Sequence, residues 1–236
     1  MNIIKIELLK IFKSKSIYIG IVLSFLSGLA ITYVAYKNPG VFEFRNSQAF
    51  YSSYFMEILL IYIVVNTIYN EYNQGTIKLI FNTETGLNDI FIKKLIALIL
   101  LGIILAFINI LFNIIVYFIL KPNINLLIFS LKEIFIYCIF TFSIYSMTVF
   151  VYSFNKHIIS SLMTLIFLYY LSNGFIDVIA EKLNINKSIL DLVPFYSLCS
   201  GLRGFYFNFN MIIGALILGI ITLIWGLSIN AKQDII

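Results

Sequence analysis

The sequence predicts an all-α integral membrane protein: six transmembrane helices preceded by an amphipathic helix lying in the membrane interface. Of its 236 residues, 61% are hydrophobic and only 11% charged, and the mean hydropathy of +0.99 is far from what a soluble surface tolerates. Several windows of about 20 residues, enough to cross about 30 Å of hydrocarbon as a helix, contain no charge at all. Uncharged runs of that length read as helices rather than barrel strands.

Taken in order, "MNIIKIELLKIFKSK" (residues 1–15) sets Ile4, Leu8, Ile11 and Phe12 on one helical face and leaves Lys5, Glu7, Lys10 and Lys13 largely elsewhere. That pattern suits a helix in the cytoplasmic interface, the alternative being a plain extension of the first span. The spans follow at about 17–36, 52–70, 95–120, 133–154, 158–179 and 210–229. The first is too long for the apolar region of a secretory signal, and no small-residue cleavage site follows it. Residues 37–51 form a short outer connection with the turn signal "KNPG". Residues 180–209 contain "ILDLVPFYSL" and "GFYFNF" and are too apolar for a free loop. Two short helices in an outer re-entrant loop would satisfy the backbone there.

An even number of spans puts both termini on one side. Lys5, Lys10, Lys13 and Lys15 before the first span assign that side to the cytoplasm and the protein to the cell membrane. Lys and Arg then divide nine inside against seven outside, so orientation rests mainly on the N-terminus. Only a short "FNKH" turn (154–157) joins spans four and five on the inside. "EYNQGTIKLIFNTETGLNDIFIKK" (71–94) is therefore the one sizeable cytoplasmic loop, far longer than joining two helices requires.

Small and polar residues recur at helical spacing in three spans: Gly20, Ser24, Gly28 and Thr32 in the first; Gly102, Ala106, Asn109, Asn113 and Tyr117 in the third; Ala215, Gly219, Thr222 and Gly226 in the sixth. Such stripes let helix backbones approach closely in lipid. The Asn109/Asn113 face has a second reading, the border of a polar pathway. Glu57 falls about a turn and a half inside the second span, where it is either interfacial or in contact with substrate or a partner helix. Asn173 and Asp177 sit one turn apart near the outer end of the fifth, Asp177 at the interface.

Enzyme chemistry finds little support. There is no H-E-x-x-H, no G-x-x-x-x-G-K-[ST] and no G-x-S-x-G, and His157 is the single histidine. Cys138 and Cys199 form neither a disulfide framework nor a thiolate metal site, so no metal and no cofactor is assigned to this chain. The net charge of +5 is spread over the loops and reads as topology and anionic-lipid contact rather than nucleic-acid binding. A T-V-G-Y-G filter is also missing.

The arrangement "NEYNQGTIKLIF…DIFIKKLIALILL" resembles the segment after the second span of ABC-2 type transporter permeases, the type V exporters. Its acidic residue, Gly-Thr pair and lysine correspond here to Glu71, Gly75, Thr76 and Lys93 or Lys94. The lead-in "ELLKIFKSKSIYI", the apolar outer loop with Pro194 and the tail "NAKQDII" are similar to that family as well. The family often carries an arginine before the third span, where this chain has Gly86, Leu87, Asn88 and Asp89. The resemblance implies a transport subunit whose ATP and Mg are bound by a separate cytoplasmic ABC ATPase. It also implies a second permease subunit, as homo- or heterodimer. The ATPase would grip Glu71, Gly75, Thr76 and the stretch Glu84, Thr85, Gly86, Leu87, Asn88 and Asp89. A short helix within 83–92, capped near Thr85 or Asn88, would transmit its motion. Gly20, Ser24, Gly28, Thr32, Glu57, Asn109, Asn113 and Asn173 would then line the pathway or the dimer interface. The small peptide export and immunity permeases of Gram-positive bacteria are the nearest analogy, with amphipathic peptides as cargo and lipids or small hydrophobic drugs as alternatives. A six-helix channel or a non-transporting accessory subunit would share the topology.

Overall fold

The computed structural model describes residues 3–37, 53–73, 87–120, 126–204 and 208–233. Within them every extended element is helical. They are α1 (Ile3–Lys13), α2 (Lys15–Lys37), α3 (Ser53–Asn73), α4 (Leu87–Leu120), α5 (Leu126–Phe154), α6 (Ile158–Ile166) with its π-helical continuation Phe167–Leu171, α7 (Ser172–Leu183), α8 (Lys187–Leu190), α9 (Pro194–Gly204) and α10 (Phe209–Gln233).

Among the described residues four helices are long and apolar enough to cross a membrane, α2, α4, α5 and α10, and the bent pair α6–α7 counts as a fifth when read as one span. The expected second span falls on α3, a helix of 21 residues whose described apolar part runs Phe55–Asn70. Met56, Leu60, Ile61, Val64, Val65, Ile68 and Tyr69 are all buried, so α3 is wrapped by other helices and does not have to be apolar on every face.

α5 is the central shaft. Two thirds of its apolar stretch (67%) is buried, against 22% for α2 and 28% for α10, which lie at the periphery. It packs on α3, α4, α6, α9 and α10. The α5–α10 contact uses glycines where backbones meet: a Cβ on Gly226 would lie 2.9 Å from the Phe150 backbone nitrogen, and one on Gly219 would lie 2.5 Å from the Phe142 ring. In the same way Gly20 of α2 admits Leu59 of α3. Ser24 and Thr32 donate to the carbonyls of Gly20 and Gly28 in their own helix, at 2.9 and 2.7 Å. Their hydroxyls are thus satisfied locally.

Several boundaries differ from the sequence reading, each for a local reason. α4 runs unbroken from Leu87, eight residues before the expected start of the third span, so 87–92 are the first turns of that helix and not a separate docking helix. Residues 83–86 of that expected helix lie outside the described residues. α5 starts at Leu126, not 133, since the polar pair Lys132-Glu133 sits within the helix and not at its edge. Glu7, expected off the apolar face of α1, is only 4% exposed, because four-residue spacing stacks it over the buried Ile11.

α6 widens into a π turn at Phe167–Leu171 and bends by 50° into α7. Ser172 donates back to the Leu168 carbonyl at the bend, a bond that competes with the helical ladder and favours a kink. α7 stops at Asn184, whose φ of 50° is left-handed, with Ile185 N–H donating to the Ala180 carbonyl at 3.0 Å. Beyond it the 180–209 stretch holds the two short helices α8 and α9. They are tied down by Tyr196 Oη donating to Asp177 (2.8 Å) and Asn208 Nδ2 donating to Asp191 (2.6 Å). Burial, reinforced by the bond to Asp177, pushes the Tyr196 hydroxyl up to about 12, so it remains a donor at ordinary pH.

Candidate functional site

Three helices place acid and amide side chains at one level of the bundle. Glu57 lies one turn into α3, Asn113 seven residues before the end of α4 and Glu133 seven residues into α5. At about 1.5 Å per residue Glu57 and Glu133 are within about 10 Å of the N-terminal ends of α3 and α5, and Asn113 is as close to the C-terminal end of α4. All are enclosed: Glu57 and Asn109 are 0% exposed, Asn113 1%, Glu133 2% and Tyr137 0%. The spacing explains the convergence. Asn109 and Asn113 are one turn apart on the face of α4 that meets α5, and Glu133 and Tyr137 are one turn apart on the answering face.

The hydrogen bonds are directional. Asn109 Nδ2 donates to Glu133 Oε1, while Asn113 Nδ2 reaches both oxygens, at 3.4 and 3.2 Å. Tyr137 Oη stands within electrostatic range of both carboxyl groups, Glu133 and Glu57. Two buried polar atoms here have no hydrogen-bond partner among the described residues, Asn113 Oδ1 and Tyr137 Oη. One turn along, Gly102 admits Thr141, whose hydroxyl donates to the Tyr137 carbonyl at 2.7 Å.

Chemically this is a set of acceptors in a low-dielectric setting, where an ionised carboxylate is costly unless it is hydrogen-bonded or meets positive charge. Among the described residues no group of three or more His, Cys, Asp or Glu could hold a metal ion. Cys138 is half-buried and Cys199 buried, both as thiols.

A second feature lies at the opposite end of α3. A cavity of about 350 Å³ opens between α1, α2 and α3, with Glu7, Lys10, Ser14, Asn66, Thr67 and Asn70 among its lining. Lys10 Nζ pairs with Glu7 at 3.0 Å, and Asn70 Nδ2 donates to Asn66 at 3.0 Å. Beside it, Tyr69 Oη donates to the Asn155 carbonyl at 2.6 Å and shares a hydrogen bond with Ser161, fastening α3 to the α5–α6 turn. The first turns of α4 are fixed as well. Ile90, Phe91 and Lys94 are buried, α1 packs on the helix, and Tyr145 of α5 donates to the Phe91 carbonyl at 2.8 Å.

Of the residues singled out from sequence, the structure brings Glu57, Asn109 and Asn113 into one cluster. Gly20, Ser24, Gly28 and Thr32 stand apart from it along the α2 face turned toward the bundle. Leu87, Asn88 and Asp89 begin α4, Glu71 is in the last turn of α3, and Asn173 is in the first turn of α7. Gly75, Thr76, Glu84, Thr85 and Gly86 lie outside the described residues. Asp177 is exposed, and Glu57 is buried rather than interfacial. Sequence reasoning missed Glu133 and Tyr137, because Lys132-Glu133 reads as the end of a loop. The apolar run "LLIFSL" at 126–131 was the signal that the helix had already begun.

The model of a known family, described as ABC-2 family transporter protein, matches residues 3–172, from α1 through the π turn into α7. Comparison with curated proteins finds no match. The matched stretch contains the whole acid–amide cluster, the cavity between α1, α2 and α3 and the anchored start of α4. The chain belongs to the ABC-2 transporter family: it is a multi-pass membrane permease subunit of an ABC transporter, and that family of transport components without an ATPase of their own implies a partner ABC ATPase.

Proposed function

We propose that this permease exports amphipathic peptides from the cell or its membrane, driven by an ATPase that docks on the 71–94 segment. In this reading α3 is the sixth membrane crossing, both termini are cytoplasmic and α1 lies in the inner interface. Two permease subunits enclose the pathway. The single observation that carries the proposal is the form of α4: one unbroken helix from Leu87 to Leu120, continuous with the docking segment and held at its start by Tyr145 and α1. A pull on Leu87–Asp89 is then delivered to a rigid rod rather than lost in a hinge. The polar cavity between α1, α2 and α3 suits an amphiphile's polar end at the level where cargo would enter.

The test replaces residues 84–89 with a Gly/Ser linker and follows ATP-dependent movement of a fluorescent amphipathic peptide in vesicles containing the permease and its ATPase. Insertion is expected to be retained and export lost, with the ATPase detached or uncoupled. Undiminished export would refute the docking role. Transport of lipid or a hydrophobic dye but not peptide would refute the cargo class.

A further inference from the structure

Asn113 Oδ1 and Tyr137 Oη are fully enclosed and have no hydrogen-bond partner among the described residues, although both belong to the cluster built around Glu133. Buried polar atoms are rarely left so, and such an orphan calls for a partner, a ligand group or a water. Both orphans flank one carboxyl group: Asn113 donates to Glu133, and Tyr137 is one turn from it on α5. The amide oxygen of Asn113 can only accept. The Tyr137 hydroxyl oxygen can accept, and it lies within electrostatic range of Glu133 and Glu57. The amide nitrogens of Asn109 and Asn113 already donate to Glu133. What these two atoms call for is therefore a donor, and beside acid groups in a low dielectric a positively charged donor is favoured over a neutral one.

We infer that the Asn113–Glu133–Tyr137 cluster binds one primary ammonium group of an amphiphile. An ammonium carries three N–H donors and no acceptor, matching the amide oxygen, the phenol oxygen and the Glu133 carboxylate one for one. An alkali or alkaline-earth ion would need about six oxygens to replace its water, more than the orphaned atoms supply. An anion would face the carboxylates directly. The inference rests on the export reading only for the source of the amine, a lysine side chain or amino terminus of the cargo.

The test uses the full chain in phosphatidylcholine nanodiscs, whose lipid carries no primary amine, and follows the midpoint of thermal unfolding. The probes are n-octylammonium chloride, n-octanol and sodium chloride. Octylammonium is expected to raise the midpoint saturably and octanol is not, with Glu133→Gln and Tyr137→Phe each weakening the apparent affinity by about tenfold or more. Tyr137→Phe also separates binding from packing: without ligand its midpoint is expected at or above that of the wild type, since it removes an unsatisfied hydroxyl. If Glu133→Gln does not fold, Tyr137→Phe decides alone. An equal response to octanol, an equal saturable response to sodium, or a full ammonium response in Tyr137→Phe would each overturn the inference. A midpoint shift without any effect of octylammonium on hydrolysis by the assembled transporter would uphold the site and count against the export reading.

Discussion

Replacing Gly214 with alanine tests how firmly the loop between α8 and α9 is seated on α10. A Cβ at this position would fall inside the Leu192 carbonyl, 2.6 Å from its carbon and 2.8 Å from Leu192 Cα, where ordinary contact begins at 3.4 Å. Both sides of the clash are backbone, so no side chain can rotate away. Neither side is loose. Leu192 N–H donates to the Ile189 carbonyl at 3.1 Å, Val193 N–H to Leu190 at 2.9 Å, and Asp191 next to it accepts from Asn208. α10 is held in turn by Gly219 and Gly226 against α5. Overpacking of this kind costs about 1–3 kcal/mol, while the change from glycine to alanine within a helix returns up to about 1 kcal/mol. The upper end of that cost applies to an overlap with backbone on both sides, so about 3 less about 1 kcal/mol leaves a net loss of about 2 kcal/mol, which for a chain of this size lowers the unfolding midpoint by roughly 4–8 °C. Gly174→Ala is the internal control: a Cβ there meets nothing within 4 Å, so the same exchange in α7 is expected to gain a few tenths to 1 kcal/mol. Thermal unfolding of both variants in detergent, monitored by fluorescence-detected size exclusion, reads the two signs together. Gly214→Ala as stable as the wild type, or Gly174→Ala less stable, would refute the steric argument.

Three further outcomes are expected. Thr32→Val changes stability by less than about 0.5 kcal/mol, because the Thr32 hydroxyl is bonded within its own helix; thermal unfolding checks this, and a large loss would reassign that stripe from packing to a polar role. Tyr69→Phe costs about 1 kcal/mol by removing the hydrogen bonds of its hydroxyl to the Asn155 carbonyl and Ser161, which keep only their long bond to each other at 3.4 Å, and hydrogen exchange at residues 155–161 is expected to accelerate before the rest of the bundle is affected. Asn109→Leu removes a donor from the buried Glu133 carboxyl, lowers stability by about 1.5–3 kcal/mol, and alters cargo-stimulated hydrolysis by the partner ATPase. Unchanged stimulation would leave Asn109 with packing alone.

The helical class and most span positions could be read from sequence because length and hydropathy are local properties. What could not be read depends on neighbours. Glu133 follows a lysine and reads as a loop, and only the enclosure by α3 and α4 makes it an interior residue. Asn109 and Asn113 announced a polar face through their four-residue spacing, but not that a carboxyl group on α5 would receive both amides. The glycine stripe of α10 was visible, whereas Gly214, which admits the Leu192 carbonyl, has no periodic companion to mark it. Glu7 shows the opposite error, a charge assigned to the surface by type although its spacing places it over Ile11.

The bond from Tyr145 to the Phe91 carbonyl has a mechanical consequence. Tyr145 and Glu133 belong to the same unbroken helix, twelve residues apart, or about 18 Å along its axis. α5 is thus joined to α4 twice, by a hydroxyl-to-backbone tie near one end and by two amide-to-carboxyl bonds near the other. Two separated joints between a pair of rods forbid independent tilting. A load applied to the first turn of α4 must either shear both joints or carry α5 with it, and the weaker of the two decides which. Occupancy of the acid–amide cluster would stiffen the far joint, so that cargo itself would set how much of the ATPase stroke reaches the outer face.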